Sequence, residues 1–162
     1  MRVAQSARAQ RDAFSPLWDP SIDAYGGYGA WMHERQSLDG SFDMGAAERS
    51  GHTLDSANVN ASYYFVQRIG LSAAWFTRSG TSDALWYPDS AKASPGARGE
   101  IVQADWTPFG AADSWAKPWA NVRLGVQYTH YDRFNGAATN YDGAGRDASD
   151  NDTFFVFAWF AM

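Results

Sequence analysis

The chain has 162 residues, no cysteine, eight tryptophans, 45% apolar and 19% charged residues, and a formal net charge of −5. That length holds one ordinary domain, the apolar content is too high for a disordered chain, and no apolar run approaches the ~20 residues of a membrane helix, so any membrane reading must be a β reading. Without Cys there are no disulfides, thiolate zinc sites, thiol catalysis or covalent c-type haem attachment, and without a Lys/Arg cluster there is no basic face for a nucleic acid.

Residues 1–10 lack the apolar core of a secretory signal, and 11–20 carry two prolines. Residues 1–20 are therefore expected to be a linker or the remnant of a preceding turn, with the β portion over 21–162. From Ile22 on, apolar residues recur at period 2, which predicts about six strands. A glycine-rich strand over Ile22–His33 comes first, followed by a polar loop over Ser37–Thr53. The clearest strand is Ser56–Val66, where Ala57, Val59, Ala61, Tyr63 and Phe65 alternate with Ser56, Asn58, Asn60, Ser62 and Tyr64. A short join at Arg68–Gly70 leads to a strand over Leu71–Arg78 and a second long loop, Ser79–Arg98. Val102, Ala104 and Trp106 alternate with Ile101, Gln103, Asp105 and Thr107. After a shorter join, Pro108–Ala120, Val122, Leu124, Val126 and Tyr128 alternate with Arg123, Gly125, Gln127 and Thr129. A third long loop, Asn135–Asp152, precedes the last strand, Thr153–Met162.

Long and short connections thus alternate, as in outer-membrane barrels with long outer loops and short periplasmic turns. The polar faces carry amides, hydroxyls and glycine with few charges, a lining suited to water or a polar plug. Phe65, Phe109, Trp115, Trp119 and Phe160 fall toward the short-turn side, where an interfacial girdle belongs. Aromatics also favour strands in general, and a soluble antiparallel β-sandwich is the alternative architecture.

The end of the chain, NDTFFVFAWFAM over Asn151–Met162, resembles the last strand of bacterial outer-membrane barrels, whose terminal hydrophobic residue is preceded by aromatic or apolar residues at every second position. Here those are Met162, Phe160, Ala158, Val156 and Phe154, with Met where phenylalanine is usual. In that family the pattern is read by the barrel-assembly machinery. The alternate set, Phe155, Phe157 and Trp159, is equally apolar, so the pattern leaves the register open. ADWTPFG (Ala104–Gly110), PWANVRLGVQYTHYDRFNG (Pro118–Gly136) and NYDGAGRDASDNDTFFVFAWFAM (Asn140–Met162) resemble the carboxyl-terminal barrel of proteobacterial outer-membrane proteins often labelled cytochrome c. The resemblance implies a porin-like barrel in the bacterial outer membrane. It also implies outer-membrane lipid and the assembly machinery as partners, and further strands of the same protein or neighbouring copies to complete six strands into a barrel. The family's CxxCH motif has no counterpart here, so any haem would belong to an amino-terminal segment outside this chain.

The inward charges expected are Arg78, Asp105 and Arg123, with Asp105 and Arg123 either tying strands together or setting the field seen by a solute; Glu100 is placed at the rim. Three histidines could serve as bases: His33 and His130 near loop-side strand ends, and His52 in a loop. No Ser stands in a GxSxG context, and no enzyme is expected. Asp142, Asp147, Asp150 and Asp152 are hard-cation donors by type, but their spacing is not that of an EF-hand, and a solvated loop is the expectation.

Overall fold

A computed structural model describes residues 24–111, 113–116 and 119–162; the expected linker over 1–20 lies outside them. Six strands form one antiparallel meander in sequence order: β1 (Ala24–Ser37), β2 (Gly51–Phe65), β3 (Ile69–Gly80), β4 (Ala97–Trp106), β5 (Asn121–Arg133) and β6 (Thr153–Ala161). The only other regular elements among the described residues are one helical turn, α1 (Asp39–Asp43), and a 3-10 turn over Ala148–Asn151. β1 and β6 are both edges, so the sheet does not close on itself.

Several strands run further toward the loops than the hydrophobic alternation alone indicated. β2 begins at Gly51, which moves His52 out of the expected loop and into a strand. β5 continues to Arg133, past a register shift opposite Arg98 and Gly99. The β2–β3 join is tight: Val66 and Gln67 both take left-handed backbone (φ 47 and 57) and Arg68 N–H donates to Phe65 O at 2.9 Å. Two consecutive positive φ values match the twist of a hairpin. The β4–β5 connection, 107–120, is as long as the β1–β2 connection, 38–50, so the sorting of long and short ends is less sharp than the sequence implied.

The register carries the alternation across the sheet without a change of face. Phe65 lies opposite Ile69, Ile69 opposite Trp106, Trp106 opposite Leu124, and Leu124 opposite Ala158. The same holds for the next row, Tyr63, Leu71, Ala104, Val126 and Val156. One face is thus continuously apolar, and it is the more exposed one: Val59 is 58% exposed, Val102 51% and Val156 66%. Gly70, Asp105, Gly125 and Thr129 on the opposite face are buried, and Asn60, Ser62, Tyr64, Gln103 and Gln127 are half-buried. The buried hydrophobic residues, Leu38, Ala47, Ala97, Ala111, Ala116, Tyr141 and Ala148, all lie in connections or at a strand end. Among the described residues nothing packs on the apolar face.

Contacts that skip strands belong to the polar face. The Tyr64 hydroxyl on β2 reaches Arg123 on β5, and the Phe76 and Tyr131 rings meet edge to face, centroids 5.6 Å apart, over Gly99 of the intervening strand. Long side chains thus lie across the polar face and meet over the strands between them, which is why that face is the more covered one. Two glycines make room there. A Cβ on Gly70 would lie 2.7 Å from the Asp105 carboxylate and the Tyr64 ring, and one on Gly125 would clash with the outer end of the Phe157 ring. Replacing Gly125 by Val is therefore expected to destabilise the folded sheet by about 1–3 kcal/mol, measured by urea unfolding in detergent, whereas the same change at Gly26, whose surroundings are open, is expected to cost well under half of that.

Candidate functional site

The inner face is organised around two polar centres. The first lies toward the short-turn end, where Asp105 and Arg123 meet across β4 and β5: Arg123 Nε donates to one carboxylate oxygen at 3.0 Å and Nη2 to the other at 2.7 Å. The Asp105 side chain is 3% exposed. Such a two-pronged pair fixes both geometry and charge. Gln103 donates to the same carboxylate at 3.2 Å, and the Arg123 guanidinium lies 5.7 Å from the centre of the Phe157 ring. The pair is thus saturated and leaves no net charge on this stretch.

The third inward charge named from the sequence, Arg78, is not part of that cluster. It sits at the loop end, where its Nε donates to Pro95 O at 3.1 Å and fastens the 81–96 connection against β3. Glu100 is on the apolar side, level with Trp75 and His130, where the apolar rows of β4 and β5 give way to charge. Phe154, Val156, Ala158 and Phe160 share the apolar face, lying opposite Tyr128, Val126, Leu124 and Val122; Met162 follows the last strand residue and is fully exposed. Phe155, Phe157 and Trp159 are on the inner face.

The second centre is one that sequence reasoning missed. Asp83, in the 81–96 connection, is 0% exposed. One carboxylate oxygen accepts from Glu48 N–H at 2.8 Å, Arg49 N–H at 3.3 Å and His52 Nε2 at 2.8 Å; the other accepts from Leu85 N–H and Trp86 N–H, each at 3.0 Å. A single side chain thereby ties the 38–50 connection, the start of β2 and its own loop together. Burial pushes its carboxyl up, but the hydrogen bonds from Trp86, His52, Glu48 and Arg49 outweigh this and hold it below its ordinary value of 3.8. His52 lies against Trp86 and Tyr87, and its Nδ1 finds no partner among the described residues. No motif announces Asp83. The signal available was an Asp followed two and three residues later by free N–H groups, as at a turn or cap.

The other two histidines pair with aspartates on the outer side, His33 Nδ1 with Asp55 at 2.6 Å and His130 Nδ1 with Asp152 at 2.7 Å. The carboxylates of the 134–152 connection have protein partners. Asp142 is held to about 2, chiefly by the Arg146 guanidinium and then by Ala144 N–H. Asp147 and Asp150 form a reciprocal cap on the 3-10 turn, and Asp152 accepts from Tyr128, His130 and Tyr131. Among the described residues no group of three or more His, Asp or Glu is placed to hold a metal.

The loops are also tied to each other, with Ala91 N–H donating to Tyr141 O at 2.7 Å and Gly136 N–H to Gly96 O at 2.7 Å. No family model, curated protein or solved structure matches this chain.

Because the Asp83 and Asp142 carboxyls are lowered in the folded state, each contributes stability that is complete above about pH 4 and is lost as pH falls through the lowered value. Pepsin is expected to leave the loop end intact near pH 4 and to cut it progressively toward pH 2. Asp83→Ala, which strands five donors, should bring cutting within 38–50 and 81–96 forward to pH 4 without changing the β-type circular dichroism of the strands.

Proposed function

We propose that this chain is a six-stranded portion of an outer-membrane, porin-like β-barrel, a passive channel or a scaffold for an electron-transfer segment outside the chain, and not an enzyme. The observation that carries the reading is the inverted exposure of the sheet: among the described residues the apolar face is open, and the amide-rich face is the more covered one. In water the open apolar surface would be a large liability; against lipid tails it is the expected outer wall of a barrel whose lumen is polar.

The shape of the apolar band supports the same reading. On β1 and β2 the apolar rows extend up to the Trp31–Ala57 pair, whereas the same row on β4 is already at Arg98. At the other end, β5 and β6 carry the band one row further, to Val122 and Phe160. A band that slants across the hydrogen-bonded rows is what strands tilted by about 35–45° require if the band is to lie level in a bilayer. The nine residues Ala57–Phe65, so tilted, span roughly 20 Å, a little less than the ~25 Å apolar band of such barrels.

Six strands are fewer than the ~8 of the smallest closed barrels, so β1 and β6 would be completed by further strands of the same protein or by neighbouring copies. The resemblance of the final strand to the barrel-assembly signal, and of the last third of the chain to cytochrome-associated porins, agrees with a bacterial outer-membrane location. A soluble β-sandwich would need a second layer over the apolar face. No such layer is found among the described residues.

With Phe160 toward lipid and Trp159 toward the lumen, Phe160→Asp expressed in the complete gene should reduce the outer-membrane fraction more than Trp159→Asp, and Phe160→Gln more than Trp159→Gln. The purified protein should migrate heat-modifiably in detergent. Equal or reversed defects would exchange the two faces of β6, and a stable monomer in detergent-free buffer would contradict the barrel.

A further inference from the structure

The lining of the inner face is more specific than a water-filled passage requires. Its middle rows present Asn58, Asn60, Ser62, Ser72, Gln103 and Gln127, and the charge among them is confined to the self-neutralising Asp105–Arg123 pair. Beside these amides, β6 turns three aromatic rings inward. Gln127 lies directly opposite Phe155, and Gln103 opposite Gln127, so donors, acceptors and ring faces share one row. Phe155 and Phe157 are stacked with centroids 6.1 Å apart at 23°, and Phe155 and Trp159 remain 57% and 54% exposed. Phe157 lies close over Gly125, with the Arg123 guanidinium over its ring.

Exposed rings offer flat apolar surfaces for stacking, and uncharged amides offer hydrogen bonds without a field that would draw in ions. The solute that matches both has a C–H-rich face for the negative face of the rings, hydroxyls at its edge for the amides, and no net charge. We propose that the inner face of β6, with the adjoining amides of β4 and β5, is a binding track for neutral oligosaccharides. Phe155 and Trp159 are four residues apart, about 13 Å along the strand, so the track fits a short chain of sugar rings better than a single one. This deepens the barrel reading by naming the solute class, and it rests on that reading only for the claim that the track lines a passage.

The test uses the full chain folded in detergent and confirmed by its β-type circular dichroism, titrated by calorimetry with maltotriose and with trigalacturonate as a charged trimer of equal length. Saturable binding of maltotriose alone is expected. Phe155→Ala should weaken it about tenfold, Leu71→Ala on the outer face should leave it unchanged, and Trp159→Phe should abolish the accompanying tryptophan fluorescence change while keeping the affinity within about threefold. No maltotriose binding, equal binding of both trimers, or an unchanged affinity in Phe155→Ala would overturn the proposal. Outer-membrane insertion of the product of the complete gene, read in parallel, separates the two claims. Insertion without sugar binding removes the track alone, and sugar binding without insertion keeps the track and removes the barrel.

Discussion

The two-residue period of the strands is held in phase across all six of them by straight antiparallel pairing, and every other feature follows from that phase. A slip of one residue at any of the five pairings would put an apolar row onto the amide face. The one irregularity, between Arg98 and Gly99, occurs at the loop end beyond the apolar rows, where an extra residue on β5 disturbs neither face of the band. The tight turn after Phe65 and the row-by-row match of β5 to β6 keep the same phase at the centre and at the edge of the sheet. Because no second layer among the described residues covers the apolar side, the sheet they form depends on its surroundings to satisfy that surface. Its internal cohesion comes from backbone pairing and from the inner face.

Cohesion on the inner face has two centres with different jobs. Near the short-turn end, Asp105 and Arg123 join β4 to β5 and draw in Tyr64 from β2, and Gly70 and Gly125 supply the space for these side chains to lie flat on the sheet. At the loop end, Asp83 accepts five hydrogen bonds and converts two connections and the start of β2 into one body. A buried carboxylate is tolerable only with such compensation. The loops therefore form a small folded cap of their own, with Leu38, Ala47, Tyr141 and Ala148 as its buried residues, at one end of a sheet whose strands enclose no apolar core among the described residues.

The number of strands and the alternation along them were legible in the sequence because alternation is a local signal. Ala57 to Phe65 declare their face whatever they pair with, and the parity of Asp105 and Arg123 already put them on the same side. In the last strand both parities are apolar, so Phe160 and Trp159 could be assigned only once β6 was paired with β5. The loop end was not legible for a different reason. Asp83 acquires its role from Glu48, Arg49 and His52, more than thirty residues away, and no composition or spacing encodes that meeting. His52 was misplaced because the alternation fades where β2 enters the cap, although the backbone pairing continues through Gln36 opposite it.

That the open apolar face meets lipid is the central claim, and its most direct test is the phase of lipid contact along one strand. The chain has no cysteine, so single cysteines at positions 57 to 65 of β2 can carry a fluorophore in the protein reconstituted into liposomes. Brominated lipid should quench labels at Val59, Ala61 and Tyr63, and an aqueous quencher should reach those at Asn58, Asn60 and Ser62. Quenching by lipid with the opposite phase, or with no two-residue period, would contradict the account.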